Sequence, residues 1–365
     1  MNNKTQFTDR LSRLVAQLPE EADGALVTSQ VCRLYLTGYN ADTGFLLVTR
    51  GGCAFVTDSR YIEAASNALE GVCQAVCYSK FGQTMRDLCE EFGAKALVIE
   101  RGSLTLAEAD RFAEAFEPVE LLRTSHLDDI IGSMRLCKNL HELEQIKAAQ
   151  LLTEQCLLRL FDKIKEGVSE KELALELEFD MRRNGAERVA FDLIIAAGPN
   201  GSMPHAVPSD YKVKPGDFIT FDIGSVINGY HSDMTRTVAF GQVSDEQMKV
   251  YETVRKAQAA SIDYLVGGGL SCFEADKIAR DIITEAGYGD CFGHGLGHGV
   301  GVEIHEAPRL SYVSKDILSP GCVVTVEPGI YLEGRFGVRI EDMLYITEGS
   351  AIDLTNIQRE LIVLN

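Results

Sequence analysis

The chain has 365 residues, 45% of them hydrophobic and 24% charged, and holds no low-complexity tract. That is a globular composition, at a length that suits two domains on the rough prior of one per ~150 residues. A formal net charge of -19, from 35 Lys+Arg against 54 Asp+Glu, repels phosphate backbones and anionic membrane surfaces, so neither nucleic acid nor a membrane is an expected partner.

The opening MNNKTQFTDRLSRLVAQL scatters acids, bases and amides where a signal peptide needs an apolar stretch, and no apolar run approaches the ~20 residues of a membrane span. A soluble, cytoplasmic protein is expected. Its ten cysteines lie in apolar segments without a C-x-x-C pair, which fits small buried hydrophobes in a reducing compartment.

Apolar runs at 25–27 and 34–37 lead into GFLLVTR-GG-CAFVTD, which reads as a hairpin turning at Gly51-Gly52. Helical periodicity follows in TMRDLCEEF and LTLAEADRFAEAF, with strand-like ALVIE between them. These elements predict a small α/β domain over 1–132, and 133–365 is expected to form a second domain. There, capping boxes at Asn139/Glu142, Ser169/Glu172, Ser244/Gln247 and Ser271/Glu274 announce four long amphipathic helices, and Gly185 and Gly287 stop the second and fourth. Strand-rich blocks at 187–240 and 290–347 complete a helix-pair, sheet, helix-pair, sheet order. This predicts an α+β domain of two similar halves.

The duplication has a direct sequence trace. KPGDFITFDIG at 214–224 and SPGCVVTVEPG at 319–329 share the frame P-G-x-φ-φ-T-φ-acid-x-G, with φ apolar. Pro-Gly turns before strands are common, but each block also ends its strand on an acid, Asp222 or Glu327. Beyond Asp222, Asn228-Gly229 is a strong hairpin signal. Closing the strands there sets residue 224 against Asp233, so Asp222 and Asp233 share a face as diagonal neighbours. Glu327 and Glu341 end two further strands, VVTVE and GVRIEDMLYI, and the duplication would bring them opposite the first pair across a local two-fold axis. Four acids that close repel and lose hydration unless cations lie between them. Two divalent ions would neutralise them, and an oxygen-rich set favours Mn²⁺, with Co²⁺, Zn²⁺ or Fe²⁺ next.

Three of the seven histidines fall within GHGLGHGVGVEIHE at 293–306. The spacing is neither a zincin helix nor a dinucleotide loop. Its glycines predict an extended, closely approached strand, in which His294 and His298 share a face and His305 points away unless the strand bends or bulges.

These residues resemble the signature of the Xaa-Pro peptidases with the pita-bread fold, aminopeptidase P and prolidase. FDLIIAAGPNGSMPH, FDIGSVINGYHSDMTRT, TVEPGIY and GVRIED resemble the family's other blocks, in order, across 139–350. The resemblance implies a C-terminal pita-bread domain after an N-terminal accessory domain, and a homodimer. It implies Asp222, Asp233, His298, Glu327 and Glu341 as ligands of two divalent ions, with Glu327 also shuttling the proton. His205, His294 and His305 would handle substrate and protons, and short proline-containing peptides would be the substrates.

Arg339, two before Glu341 on the same face, is a salt-bridge partner or an orienter of that ligand, and the resemblance favours the latter. Phe191 and Tyr331 are candidates for an apolar slot that takes a proline ring. Arg309 could hold the terminal carboxylate of a dipeptide. His126, His141 and His231 are expected to have no catalytic role. Two rival readings are a methionine aminopeptidase, which lacks the pattern around His305, and a non-catalytic pita-bread binding protein, which would have lost ligands.

Overall fold

A computed structural model describes residues 3–365. The chain divides into two compact units, Met1–Arg135 and Leu136–Asn365.

In the first unit the strands, taken in chain order, are Gly24–Val27, Phe45–Thr49, Cys53–Thr57, Gln74–Cys77, Ala96–Ile99 and Glu120–Leu122. They form one sheet in the order fourth, third, second, first, fifth, sixth. The Gly51-Gly52 hairpin closes as expected, with Val48 opposite Cys53, and the Thr49 hydroxyl accepts the N–H groups of both glycines. TMRDLCEEF and LTLAEADRFAEAF lie in the helices Phe81–Glu91 and Leu106–Phe116. A capping box at Thr105/Glu108, which the sequence reading passed over, starts the second of these. The 34–37 run is the last turn of the helix Gln30–Thr37. Leu26, Leu47, Val56, Met85, Leu97 and Phe116 are buried together as the core.

The second unit repeats helix pair and sheet twice. Leu140–Phe161 and Glu170–Arg183 precede a four-stranded sheet of Ile194–Ala197, Phe218–Ile223, Met234–Phe240 and Val363–Leu364. Asp245–Val266 and Cys272–Glu285 precede a five-stranded sheet of Gly297–Gly299, Glu306–Leu310, Val323–Val326, Asp342–Thr347 and Ser350–Asp353. Each half buries its own apolar cluster, Leu157, Leu177, Ile195 and Phe221 in one, Tyr251, Ala257, Val324 and Leu344 in the other. The matched Pro-Gly turns are real equivalents: Gly216 and Gly321 both take a left-handed φ, 93° and 100°, which a side chain would strain. The capping serines match too, since Ser169 bridges Lys212 and Ser271 bridges Ile317.

Three details depart from the sequence reading. The boxes at Asn139, Ser169 and Ser244 are reciprocal, but Ser271 only accepts the N–H of Glu274. GVRIEDMLYI is not one strand. Phe336–Arg339 pairs with Gly329–Leu332 in a separate two-stranded sheet, and Asp342–Thr347 pairs with Val323–Val326, leaving Glu341 at the break. The histidine segment is strand only over Gly297–Gly299, because a bulge next to His298 shifts the register.

Candidate metal centre

Asn228 and Gly229 take φ values of 48° and 79°, the two left-handed residues of the expected tight hairpin. Ile227 faces Tyr230 and Val226 faces His231. Further out, Ile223 faces Met234 and Asp222 faces Thr235. One register therefore runs through both sheets and sets Gly224 opposite Asp233. A Cβ at Gly224 would lie 2.0 Å from the Ser232 carbonyl, so the close approach that brings Asp222 and Asp233 together requires glycine.

In the second half, Val326 faces Asp342, which sets Glu327 opposite Glu341. The two halves meet through Thr235. Its carbonyl accepts the Glu341 N–H at 3.1 Å and its hydroxyl donates to Glu341 Oε2 at 2.7 Å. Behind them Arg236, fully buried, donates to the Glu341 carbonyl and to Asp342, both at 2.7 Å. Thr325 spans the next gap, accepting the His298 N–H and donating to Glu327 Oε1.

His298 donates from Nδ1 to the Gly299 carbonyl at 3.0 Å. Its bare Nε2 faces Asp233 Oδ2 and Glu327 Oε1, each at 3.4 Å. Ligand atoms of Asp233, His298 and Glu341 lie within 4.8 Å of one another. Asp233 Oδ1 and Glu341 Oε1 are buried without a hydrogen-bond partner. Lone pairs converging in a dry site with nothing donating to them leave room for a cation and supply its ligand atoms. The donor set, carboxylates with one neutral imidazole, suits divalent first-row ions.

Electrostatics agree. Burial, then Asp222 and Glu327, holds the Asp233 carboxyl well above its usual range. Burial, then Asp233, Glu327 and Asp222, does the same to Glu341. Burial and Asp222 push Glu327 up to about 8 against the pull of Arg339. Burial lowers His298 to about 4, leaving it neutral and able to ligate.

Arg339 does not pair with Glu341. Its guanidinium meets Asp222 Oδ2 at 2.5 Å, the Tyr331 hydroxyl at 2.7 Å and the Thr235 hydroxyl at 3.1 Å. It is linked to Glu341 through the Thr235 hydroxyl. Tyr331 is no simple apolar wall either. Its hydroxyl accepts from Arg339 and meets His294 Nε2 at 3.0 Å. His294 Nδ1 donates to the Gly295 carbonyl, so Tyr331 is the donor to Nε2, and burial lowers His294 to about 4.

His305 is exposed and returns over the site on the loop after the bulge, its ring 4.4 Å from that of His298. Arg309 lies opposite His298 in the strand pairing. With His305 and Lys315 it lines a cavity of about 460 Å³. His205 is exposed on the 203–207 loop, close enough to lower His294 and His305 electrostatically. Phe191 is half-buried, one residue after Ala190, whose N–H donates to the Gly224 carbonyl. The His231 N–H donates to the Gly301 carbonyl and its ring meets Arg188. His126 and His141 sit in the helices His126–Leu136 and Leu140–Phe161.

Sequence reasoning missed Thr235 and Thr325. A signal existed for Thr235, since the predicted register already set its hydroxyl opposite Asp222.

A two-fold repeated α+β domain with converging buried carboxylates and one neutral imidazole defines a metal-dependent hydrolase. Residues 144–348 match metallopeptidase family M24, and residues 10–137 match the creatinase/prolidase N-terminal domain. The chain belongs to metallopeptidase family M24. It is 37% identical over 357 residues to the Xaa-Pro dipeptidase of Pyrococcus furiosus, covering 97% of this chain and 99% of that one. Among solved structures it is similar to an Xaa-Pro dipeptidase from Bacillus anthracis, at TM-score 0.91 and 37% identity over 99% and 100% of the two chains. It is also similar to an X-Pro aminopeptidase from Thermotoga maritima, at TM-score 0.90 and 33% identity over 97% and 100%.

Proposed function

We propose that the protein is an exopeptidase that hydrolyses the bond before a proline in second position of short peptides, using two divalent ions. The observation that carries this is the pair of orphaned buried oxygens, Asp233 Oδ1 and Glu341 Oε1, in a cluster with His298. Asp222 and Glu327 complete the set. Bound ions, Mn²⁺ first and Co²⁺ or Zn²⁺ next, supply a Lewis acid for the scissile carbonyl and make water acidic enough to react near neutral pH.

The residues of the chain do the rest. Glu327 Oε1 takes a proton from the attacking water and delivers it to the proline nitrogen as the bond breaks. A peptide nitrogen leaves as an amine only when it gains a proton, so a placed acid is needed. His205 and His305 donate to the substrate carbonyl and to the tetrahedral intermediate. Tyr331 holds His294 in one tautomer, and Arg339 balances Asp222 beside the ligand oxygens. Phe191 offers an apolar edge to the proline ring. Arg309, in the cavity past His305, takes a dipeptide's terminal carboxylate, which favours an Xaa-Pro dipeptidase over an aminopeptidase P. The protein works in the cytoplasm as a homodimer.

Hydrolysis of Ala-Pro, Ala-Ala and Met-Ala-Ser by the metal-loaded protein tests the reading. Cleavage confined to Ala-Pro supports it, and release of methionine from Met-Ala-Ser would move the protein to the methionine aminopeptidase branch.

A further inference from the structure

Glu170 opens the helix Glu170–Arg183 and is 0% exposed. Among the described residues no lysine or arginine pairs with it. A carboxylate buried without a counter-ion has to be satisfied by hydrogen bonds, and here these go to one stretch of chain. Oε1 accepts the Ala197 N–H at 2.6 Å. The Asn200 side-chain amide reaches both oxygens at 3.1 Å. Oε2 accepts the Ser209 N–H at 2.9 Å and the Ser209 hydroxyl at 2.6 Å. The positive end of the helix adds to the field that holds the charge.

Residues 197 and 209 are the two feet of the loop that carries His205. Apolar packing fixes that loop only in part: Ala206 is buried with Ile194 and Ala196, and Gly201 lies close against the backbone of Gly337. Met203 and Val207, which flank His205, are 50% and 81% exposed, and of 203–207 only Ala206 is buried. At its far side the loop rests on two hydrogen bonds, Arg339 to the Pro204 carbonyl at 3.3 Å and the Gly334 N–H to the Ser202 hydroxyl at 3.2 Å. We infer that Glu170 is a positioning residue for His205: one carboxylate ties both feet of the loop and so sets where the imidazole meets the substrate. The inference rests on the reading that His205 contacts the substrate.

The test is a double-mutant cycle on the full-length, metal-loaded enzyme with Ala-Pro, comparing wild type, Glu170→Gln, His205→Ala and the double variant. Glu170→Gln keeps the shape but sets an amide N–H₂ against donors. It is expected to lower kcat about tenfold or more through displacement of His205, with metal content and KM within about twofold of wild type. In the His205→Ala background the same change should cost less than about twofold, because the group it positions is gone. An equal loss of kcat in both backgrounds would mean that Glu170 serves the fold alone and would overturn the inference, as would unchanged kcat in Glu170→Gln. If His205→Ala itself leaves kcat unchanged, the underlying reading of His205 fails instead. Should Glu170→Gln not fold, Asn200→Ala enters the same cycle. It removes the amide that bonds both Glu170 oxygens and the Ser209 hydroxyl and leaves the carboxylate its bonds from Ala197 and Ser209. It should lower kcat when His205 is present but not in the His205→Ala background; an equal loss in both would overturn the inference.

Discussion

Stripping the metal should give the protein a stability that falls with rising pH across the neutral range. Glu327 is pushed up to about 8, and Asp233 and Glu341 are raised in the same direction. In the stripped protein these carboxyls keep protons that the unfolded chain has already released, so folding weakens as pH climbs from the ordinary carboxyl range to about 8. His294 and His298, lowered to about 4, act oppositely. There the unfolded chain binds the extra protons, and the stability lost in acid is fully regained above the ordinary imidazole value of about 6.5. Between about 6.5 and 8 the carboxyls act without the histidines. That span, at 1.36 kcal/mol per pH unit, is about 2 kcal/mol from Glu327. The 17% of its side chain left exposed makes this an upper figure. For a domain of this size it corresponds to about 4–8 °C in melting temperature. The chain has no tryptophan, so scanning calorimetry of chelated and metal-loaded protein over this window is the suitable assay. The loaded protein should be nearly flat, since bound cations keep the carboxyls ionised. Equal slopes in the two forms, or a stripped protein whose melting point rises with pH, would refute the reasoning.

Further outcomes follow from particular residues. Asp233→Ala or Glu341→Ala should lose bound metal and turnover together, and full occupancy by elemental analysis in both variants would sink the ligand assignment. Arg309→Ala should raise KM for Ala-Pro by about 10–100-fold, the worth of a charge-assisted hydrogen bond, and change Ala-Pro-Ala much less; equal effects would remove Arg309 from carboxylate binding. Asn139→Ala breaks a reciprocal capping box and should cost about 1 kcal/mol, seen as about 2–4 °C in melting temperature with kcat unchanged.

The parts of the site legible in the sequence are those set by local geometry. Asn228-Gly229 fixes its own turn and hence the register, so the facing of Asp222 and Asp233 could be counted residue by residue. The repeat of the Pro-Gly frame carried the same logic to Glu327. What could not be counted is set by contacts between hairpins. Thr235 holds Glu341 from 106 residues away, and Arg339 meets Asp222 across 117. Neither distance has a period to betray it. The break before Asp342 puts Arg339 and Asp342 in different sheets, and nothing in the apolar pattern of GVRIEDMLYI marks that break. Likewise the bulge after His298 brings His305 back over the site, where an unbroken strand would have pointed it away. Glu170 lay in plain view as the residue after a capping serine, but its partners at 197–209 belong to tertiary structure.

The most direct test of the account is hydrolysis of Ala-Pro beside Ala-Pro-Ala by protein stripped of metal and then reloaded with Mn²⁺, with bound metal counted in the same samples. The account predicts silence in the stripped protein and cleavage of Ala-Pro on reloading, at two ions per chain. Cleavage that survives complete stripping, or silence on both peptides with two ions bound, would contradict it.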